Sequence, residues 1–217
     1  MGDNTDPSPA PGAKAAPGAK ARSSFRLSAR DLLSVAIFAV IFIAVIWAVG
    51  MLGVISPVVW LMTTPLQIIA GAIPFMLFLT RVRHAGLVSL FGLVIALFFL
   101  LSGNSPVSTV GIALLGLAAD LICWAGGYRS KQASILAYTA FGLGFFTPFL
   151  PLFIDREGYF ASSTWESMGP EYIEATDKLL TLPVLGLLAA VIAVSGLVGA
   201  LVGSATLRKH FVRAGLA

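Results

Sequence analysis

One acidic residue lies within an apolar run of this sequence, Asp120 in the stretch LGLAADLICWAGGYRSK. Ionisable groups at such positions normally face other parts of the protein and mark either a functional site or a charge pair. Asp120 is therefore expected either to form an ion pair or to couple proton movement in a transporter. No histidine or second acid lies near it in the sequence, which favours the ion pair. The candidate partners are Arg81, Arg83 and Arg129.

A second set of polar side chains falls near the ends of apolar runs. Gln67 lies between Pro65 and Pro74 in TTPLQIIAGAIP, and each proline removes a helical hydrogen bond and kinks the helix. The Gln67 amide is expected either to bond a freed carbonyl or to point into a cavity that the kink opens. A few polar groups among apolar walls are the usual plan of a small-molecule pocket. Further candidates for its lining are Trp60, Asn104, Ser108 and Thr147.

The stretch FIDREGYFASSTWESMGPEYIEATDKLL, residues 153–180, holds six of the ten acids in the chain. Apolar runs long enough to cross a membrane flank it on both sides. Its aromatic side chains could close over a ligand or lie on a membrane interface. We expect residues 155–178 to form an external loop, which is a candidate lid and either closes on a ligand or only shields the bundle. The candidate lid residues are Tyr159, Trp165, Glu166 and Tyr172.

The sequence does not contain the residue patterns that several kinds of catalysis require. There is no phosphate-binding P-loop, carboxylate pair, nucleophile elbow or HExxH motif, so we expect no enzymatic activity and no cofactor held by this chain. The two histidines, His84 and His210, fall in segments expected to be cytoplasmic, which disfavours an external metal site. The basic residues form short clusters instead of one patch with aromatics, which argues against nucleic acid as a partner.

The candidate site residues lie in or beside long apolar runs, and the structure of these runs must determine where the residues lie. Hydrophobic residues make up 58% of the chain and charged residues 11%, against roughly a quarter charged in soluble domains. Because lipid leaves unpaired backbone groups without partners, the spanning segments should be helices. We predict an all-α polytopic membrane protein, with a disordered tail over residues 1–28 and a membrane domain over 29–217. Its six transmembrane helices are predicted at about 32–54, 58–80, 85–101, 107–127, 132–153 and 182–207.

The positions of Lys and Arg predict the orientation of the helices. Twelve of the fourteen basic residues fall in the tail and in alternate connections, leaving only Arg156 and Lys178 for the other side. By the positive-inside rule, both termini are expected in the cytoplasm. The acidic stretch is then the last and longest external loop.

Small residues recur at four-residue spacing on two of the predicted helices. The last helix carries Ser195, Gly199 and Gly203 on one face. Small-xxx-small faces let helices approach closely in lipid, either inside the bundle or against a partner protein, and the sequence leaves both possibilities open. The first helix has a similar row, formed by Ala36, Val40, Ala44 and Ala48.

Several separated motifs together resemble one family. They are RDLLSVAIFAVIF, GAIPFMLFLTRVRHAG, LGLAADLICWAGGYRSK, YTAFGLGFFTPFLPLFI and RKHFVRAGLA. In this order they are similar to the MptD-like, or Trep_Strep, family of energy-coupling factor (ECF) transporter S components, over about residues 30–217.

The resemblance implies a six-helix substrate-binding subunit in the bacterial cytoplasmic membrane. Its implied partners are a transmembrane coupling subunit and two cytoplasmic ATPases, which use the ATP. The loops between helices one and two, three and four, and five and six form the gate of the pocket in this class. The alanine row on helix one would meet the coupling subunit. The valine at position 40 departs from the pattern, and Ala39 could supply the missing small residue.

The substrate implied by the resemblance is a small micronutrient, either a vitamin-like compound or a tetrapyrrole such as haem. Nickel and cobalt S components use an N-terminal histidine that this chain lacks, so a metal ion is disfavoured. An iron ligand for haem would have to be Met168, Tyr159 or Tyr172. Two other functions stay open: a stand-alone secondary transporter coupled through Asp120, and a membrane scaffold without transport activity.

Overall fold

The protein is an all-α polytopic membrane protein, as the sequence predicts. A computed structural model describes residues 28–82 and 84–213, so the predicted tail lies outside the described residues except for Ser28. Five segments are long and apolar enough to cross a membrane, and a sixth apolar helix, Leu87–Leu101, is shorter. The helices are α1 (Ala29–Gly50), α2 (Pro57–Arg81), α3 (Leu87–Leu101), α4 (Pro106–Ala125), α5 (Lys131–Gly142), α6 (Arg156–Phe160), α7 (Ser163–Glu166), α8 (Pro170–Leu179) and α9 (Leu182–Arg213).

Serine residues set the N-termini of four of the long helices. Ser28 and Asp31 form a reciprocal capping box at the start of α1. The side chain of Ser56 accepts a hydrogen bond at the start of α2, and Ser105 does so at the start of α4, each followed by a proline. A serine oxygen satisfies an N–H that has no partner in the first helical turn, and proline tolerates that position because it has no N–H. Ser130 caps α5 in the same way.

The fifth predicted span has two parts, because α5 continues as a 3-10 helix over Leu143–Phe153. Pro148 and Pro151 lie in this second part and cannot donate the hydrogen bonds of an α-helix. In an α-helix, the N–H groups of residues 148 and 151 would bond the carbonyls of Gly144 and Thr147, four positions earlier. Because proline has no N–H, these two carbonyls receive no α-helical hydrogen bond. Side-chain hydroxyls bond both carbonyls instead, as described below.

Glycines allow the bundle helices to approach closely. Helix α9 packs against α2, where a Cβ on Gly203 would lie 3.0 Å from the carbonyl oxygen of Ala72 and one on Gly199 would lie 3.2 Å from that of Ile68. The small-residue face of α9 therefore packs inside the bundle, which resolves the alternative that the sequence left open. Helices α3 and α4 cross in a similar way at Gly92 and Gly116.

The acidic stretch is folded, although the sequence predicted a loop. Its residues form the three short helices α6, α7 and α8. Arg156, the first residue of α6, bonds the end of α8: its guanidinium donates to the Asp177 carboxylate at 2.6 Å and to the Leu180 carbonyl at 3.0 Å. We refer to residues 156–179 as the cap.

Candidate functional site

A cavity of about 540 Å³ lies beneath the cap. Residues of α1, α2, α3 and the 3-10 helix line it, and its walls include three connections: residues 51–55, residues 102–105, and the segment 151–172 that holds most of the cap. Its volume lies in the range of sites that enclose a small organic molecule. The three connections are those between the first and second, third and fourth, and fifth and sixth predicted spans.

Aromatic side chains make up much of the cavity wall, and nine of them line it. Trp165 of the cap is 8% exposed and packs edge-on against Trp60 of α2, with ring centroids 5.3 Å apart. Tyr159 and Tyr172 contact the same Trp165 ring. The predicted candidates Trp60, Tyr159, Trp165 and Tyr172 thus come together in one cluster, and Phe149 adds a fifth ring against Trp60.

Gln67 meets one of the two expectations that the sequence raised, because it lines the cavity but does not bond a carbonyl freed by a proline. Its side chain lines the cavity, and its amide nitrogen donates to the Ile46 carbonyl of α1 at 2.9 Å. That carbonyl belongs to the neighbouring helix and is not one freed by a proline. The amide can approach because position 50 is glycine, where a Cβ would collide with the amide nitrogen. One N–H and the carbonyl oxygen of the Gln67 side chain remain for a ligand.

Thr64 is a lining residue that the sequence reasoning missed. Its side chain is 6% exposed, and its hydroxyl makes no hydrogen bond with the residues that the structure describes. No side-chain oxygen or nitrogen among those residues is both sealed from solvent and unpaired. The Thr64 hydroxyl is therefore accessible, and because Thr64 lines the cavity we infer that the hydroxyl faces it. Its spacing of three from Gln67 on one helix face was the available signal.

Hydrogen bonds join the cap to the two other connections. The Tyr172 hydroxyl donates to the Gly53 carbonyl at 2.8 Å, and the Thr164 hydroxyl lies 3.4 Å from the Gly103 carbonyl. Burial raises the pKa of Tyr172 and also that of Tyr159, so both hydroxyls stay protonated at neutral pH. Asn104 also lines the cavity. Its side-chain amide donates a hydrogen bond to the Phe99 carbonyl in the last turn of α3.

Three predicted substrate ligands lie elsewhere. The Ser108 hydroxyl donates to the Thr147 carbonyl at 3.1 Å, and the Thr147 hydroxyl donates to the Gly144 carbonyl at 2.8 Å. Both hydroxyls are therefore used to satisfy the backbone of the proline-containing segment, and neither residue lines the cavity. Glu166 is exposed on the cap and also lies outside the lining.

A comparison with protein families shows the family to which the chain belongs. Residues 29–213 match the family described as "hypothetical bacterial integral membrane protein (Trep_Strep)". The chain belongs to the Trep_Strep family. No curated protein and no solved structure matches it.

In this Trep_Strep protein, Asp120 joins α4 to the start of α3. One carboxylate oxygen accepts hydrogen bonds from the Gly86 N–H at 2.7 Å and the Ser89 hydroxyl at 2.8 Å, and the other accepts from the Tyr128 hydroxyl at 2.8 Å. Neither ion pair among the described residues involves Asp120. The predicted pairing with Arg81 or Arg129 is therefore wrong, and Arg83 lies outside the described residues.

The predicted partner-coupling row of the Trep_Strep chain lies on the outside of the bundle. Ala36, Ala44 and Ala48 are exposed, and Val40 is 65% exposed. Ala39 was the suggested substitute for the valine, but it is fully buried in the core. It lies about 100° around α1 from Val40 and its side chain is covered, so it cannot contribute to an external contact.

Proposed function

We propose that this Trep_Strep protein is the substrate-binding S component of an ECF-type importer. The observation that carries the proposal is the cavity, whose walls include the connections between predicted spans one and two, three and four, and five and six. A capture subunit needs a site of this kind, which receives a small molecule on one side of the membrane and can close over it. In the orientation given by the positive-inside rule, the cavity faces outside.

The exposed alanine row of α1 supports a second part of the proposal, a transmembrane coupling subunit as partner. Small side chains let a second helix approach closely in lipid. The comparable row of α9 is used inside the bundle, which leaves α1 as the better candidate for an external contact. Two cytoplasmic ATPases would then supply the energy, and the chain would bind the substrate without chemical change.

Assembly tests this proposal without knowledge of the substrate. The tagged full-length chain is co-expressed with the genomic neighbours that encode a coupling protein and an ATPase pair, and the detergent-solubilised complex is purified through the tag. We expect all three partners to co-purify. If the chain is folded and in the membrane but none of them co-purifies, the S-component assignment fails.

A matched pair of variants locates the contact. Ala44→Trp adds a bulky ring to the exposed row and should abolish co-purification. Ala190→Trp places the same ring on an exposed position of α9 and should leave assembly unchanged. Equal assembly of both variants would contradict the placement of the coupling contact on α1.

A further inference from the structure

We propose that the cavity takes a planar heteroaromatic compound whose buried part is neutral or cationic, with a hydrogen-bonding edge held by Thr64 and Gln67. This inference rests on the proposed function and specifies its substrate class. It separates the two kinds of substrate that the family resemblance implies, because a tetrapyrrole such as haem carries two carboxylates.

The polar groups of the inner wall form one compact spot. Thr64 and Gln67 are one helical turn apart on α2, about 10 Å and about 15 Å from its first residue at 1.5 Å per residue. The Thr64 hydroxyl is unpaired among the described residues and faces the cavity, and the Gln67 amide keeps a donor and an acceptor. Neighbouring donor and acceptor groups on one wall suit the edge of a heterocycle, which presents ring nitrogens and carbonyls side by side.

Aromatic rings surround this polar spot. Phe145 and Phe99 pack edge to face with centroids 6.3 Å apart, and both line the cavity together with Trp60 and Phe149. Such walls bind flat rings by stacking and by edge-to-face contacts. They also attract cations, since the face of an aromatic ring is electronegative.

The charges around the cavity disfavour an anion. Among the described lining residues, Asp155 is the one carboxylate, and none is Lys, Arg or His. The cap and its borders, residues 153–180, hold six acids against two bases. Both bases are engaged, Arg156 with Asp177 and Lys178 with Glu174.

The free-energy cost of burying an unpaired negative charge makes the cavity selective against anions. A carboxylate or phosphate that enters an apolar cavity without a cationic partner loses its hydration and gains no compensating ion pair. The excess of acids in the cap also lowers the local concentration of anions. A neutral ring has no charge to desolvate, and the Asp155 carboxylate and the aromatic faces can compensate the charge of a cationic ring.

Calorimetry with matched pairs of compounds tests the charge preference. The purified full-length chain is titrated with riboflavin and flavin mononucleotide, with thiamine and thiamine monophosphate, and with nicotinamide and nicotinate. Within each pair the ring is the same, and the second member has an added negative charge. We expect at least one neutral or cationic member to bind, and to bind at least about tenfold more tightly than its partner, a difference of about 1.4 kcal/mol.

Three results would overturn the inference. They are an anionic member that binds as tightly as its partner, a shift of the haem absorption band that reports stoichiometric haem binding, and no binding by any of the six compounds. Each would leave the S-component proposal intact, because co-purification with the ATPases does not depend on the ligand.

The adjacent residues Thr63 and Thr64 provide a matched pair of variants that tests where the ligand binds. Thr64→Val removes the cavity-facing hydroxyl while keeping the side-chain shape, and it should weaken binding of the preferred compound about three- to tenfold. Thr63→Val makes the same change at a buried hydroxyl that donates to the Trp60 carbonyl at 2.7 Å and does not line the cavity. It should leave the affinity unchanged, and equal effects of the two variants would contradict the assignment of Thr64.

Discussion

The Gln67 amide lies against α1 because position 50 has no side chain. The flanking prolines made Gln67 a candidate from the sequence. Its partner, the Ile46 carbonyl, could not be predicted, since that contact depends on how α1 and α2 pack. For a related reason, the sequence did not show that Ser108 and Thr147, two predicted substrate ligands, lie outside the cavity lining. A hydroxyl near a helix end can bond a ligand or a backbone carbonyl, and the sequence does not show which carbonyls the prolines leave without a partner.

Gly50→Ala should weaken ligand binding without unfolding the protein. The added Cβ would collide with the end of the Gln67 side chain, which is flexible and can swing away, so the bond to the Ile46 carbonyl would break and the amide would leave its place in the cavity. We expect a loss of affinity of about three- to tenfold in calorimetry with the preferred compound. Gly186→Ala adds the same methyl where the structure leaves open space on α9. If both variants bind equally, Gln67 does not take part in binding.

The limits of α2, α3 and α4 were predictable from the sequence to within two residues. Apolar runs about 20 residues long and serine–proline pairs such as Ser56–Pro57 and Ser105–Pro106 mark their limits. The cap was predictable only as a polar segment between two apolar runs. Its three helices are short, and their packing depends on the contact between Trp165 and Trp60, two residues far apart in sequence.

Arg156→Gln should loosen the cap. Arg156 donates to the Asp177 carboxylate and to two backbone carbonyls at the end of α8, so it joins the first and last helices of the cap. In hydrogen exchange measured by mass spectrometry, we expect amides of residues 170–180 to exchange about three- to tenfold faster. The control Lys178→Gln removes an exposed ion pair within α8 and should change exchange little. Unchanged exchange in Arg156→Gln would show that the aromatic contacts alone hold the cap.

Asp120→Ala should destabilise the contact between α3 and α4. Asp120 is 5% exposed, and its carboxylate accepts hydrogen bonds from the start of α3 and from Tyr128, so its removal leaves partly buried donors unpaired. We expect a loss of about 3 kcal/mol, seen as a Tm roughly 6–12 °C lower in circular dichroism of the detergent-solubilised protein. Tyr128→Phe removes one of these bonds and should cause a smaller decrease. A wild-type Tm for Asp120→Ala would argue against the structural role and favour a role in proton coupling.

At the scale of the whole molecule, the two small-residue faces have different surroundings. The face of α9 is covered by α2, whereas the row on α1 is exposed on the outside of the bundle. The sequence could not distinguish them, because the same spacing suits an internal and an external contact. The protein thus combines a cavity at one end with an uncovered helix face along its side, and we assign the first to the substrate and the second to the coupling subunit.

Native mass spectrometry of the purified full-length chain shows whether the protein holds a small molecule in its cavity. If the protein is a capture subunit, the wild-type chain should carry one small molecule per protein, and the occupancy should fall in Gly50→Ala but not in Gly186→Ala. A chain without any bound small molecule, or one whose adduct has the same occupancy in both variants, would contradict the account.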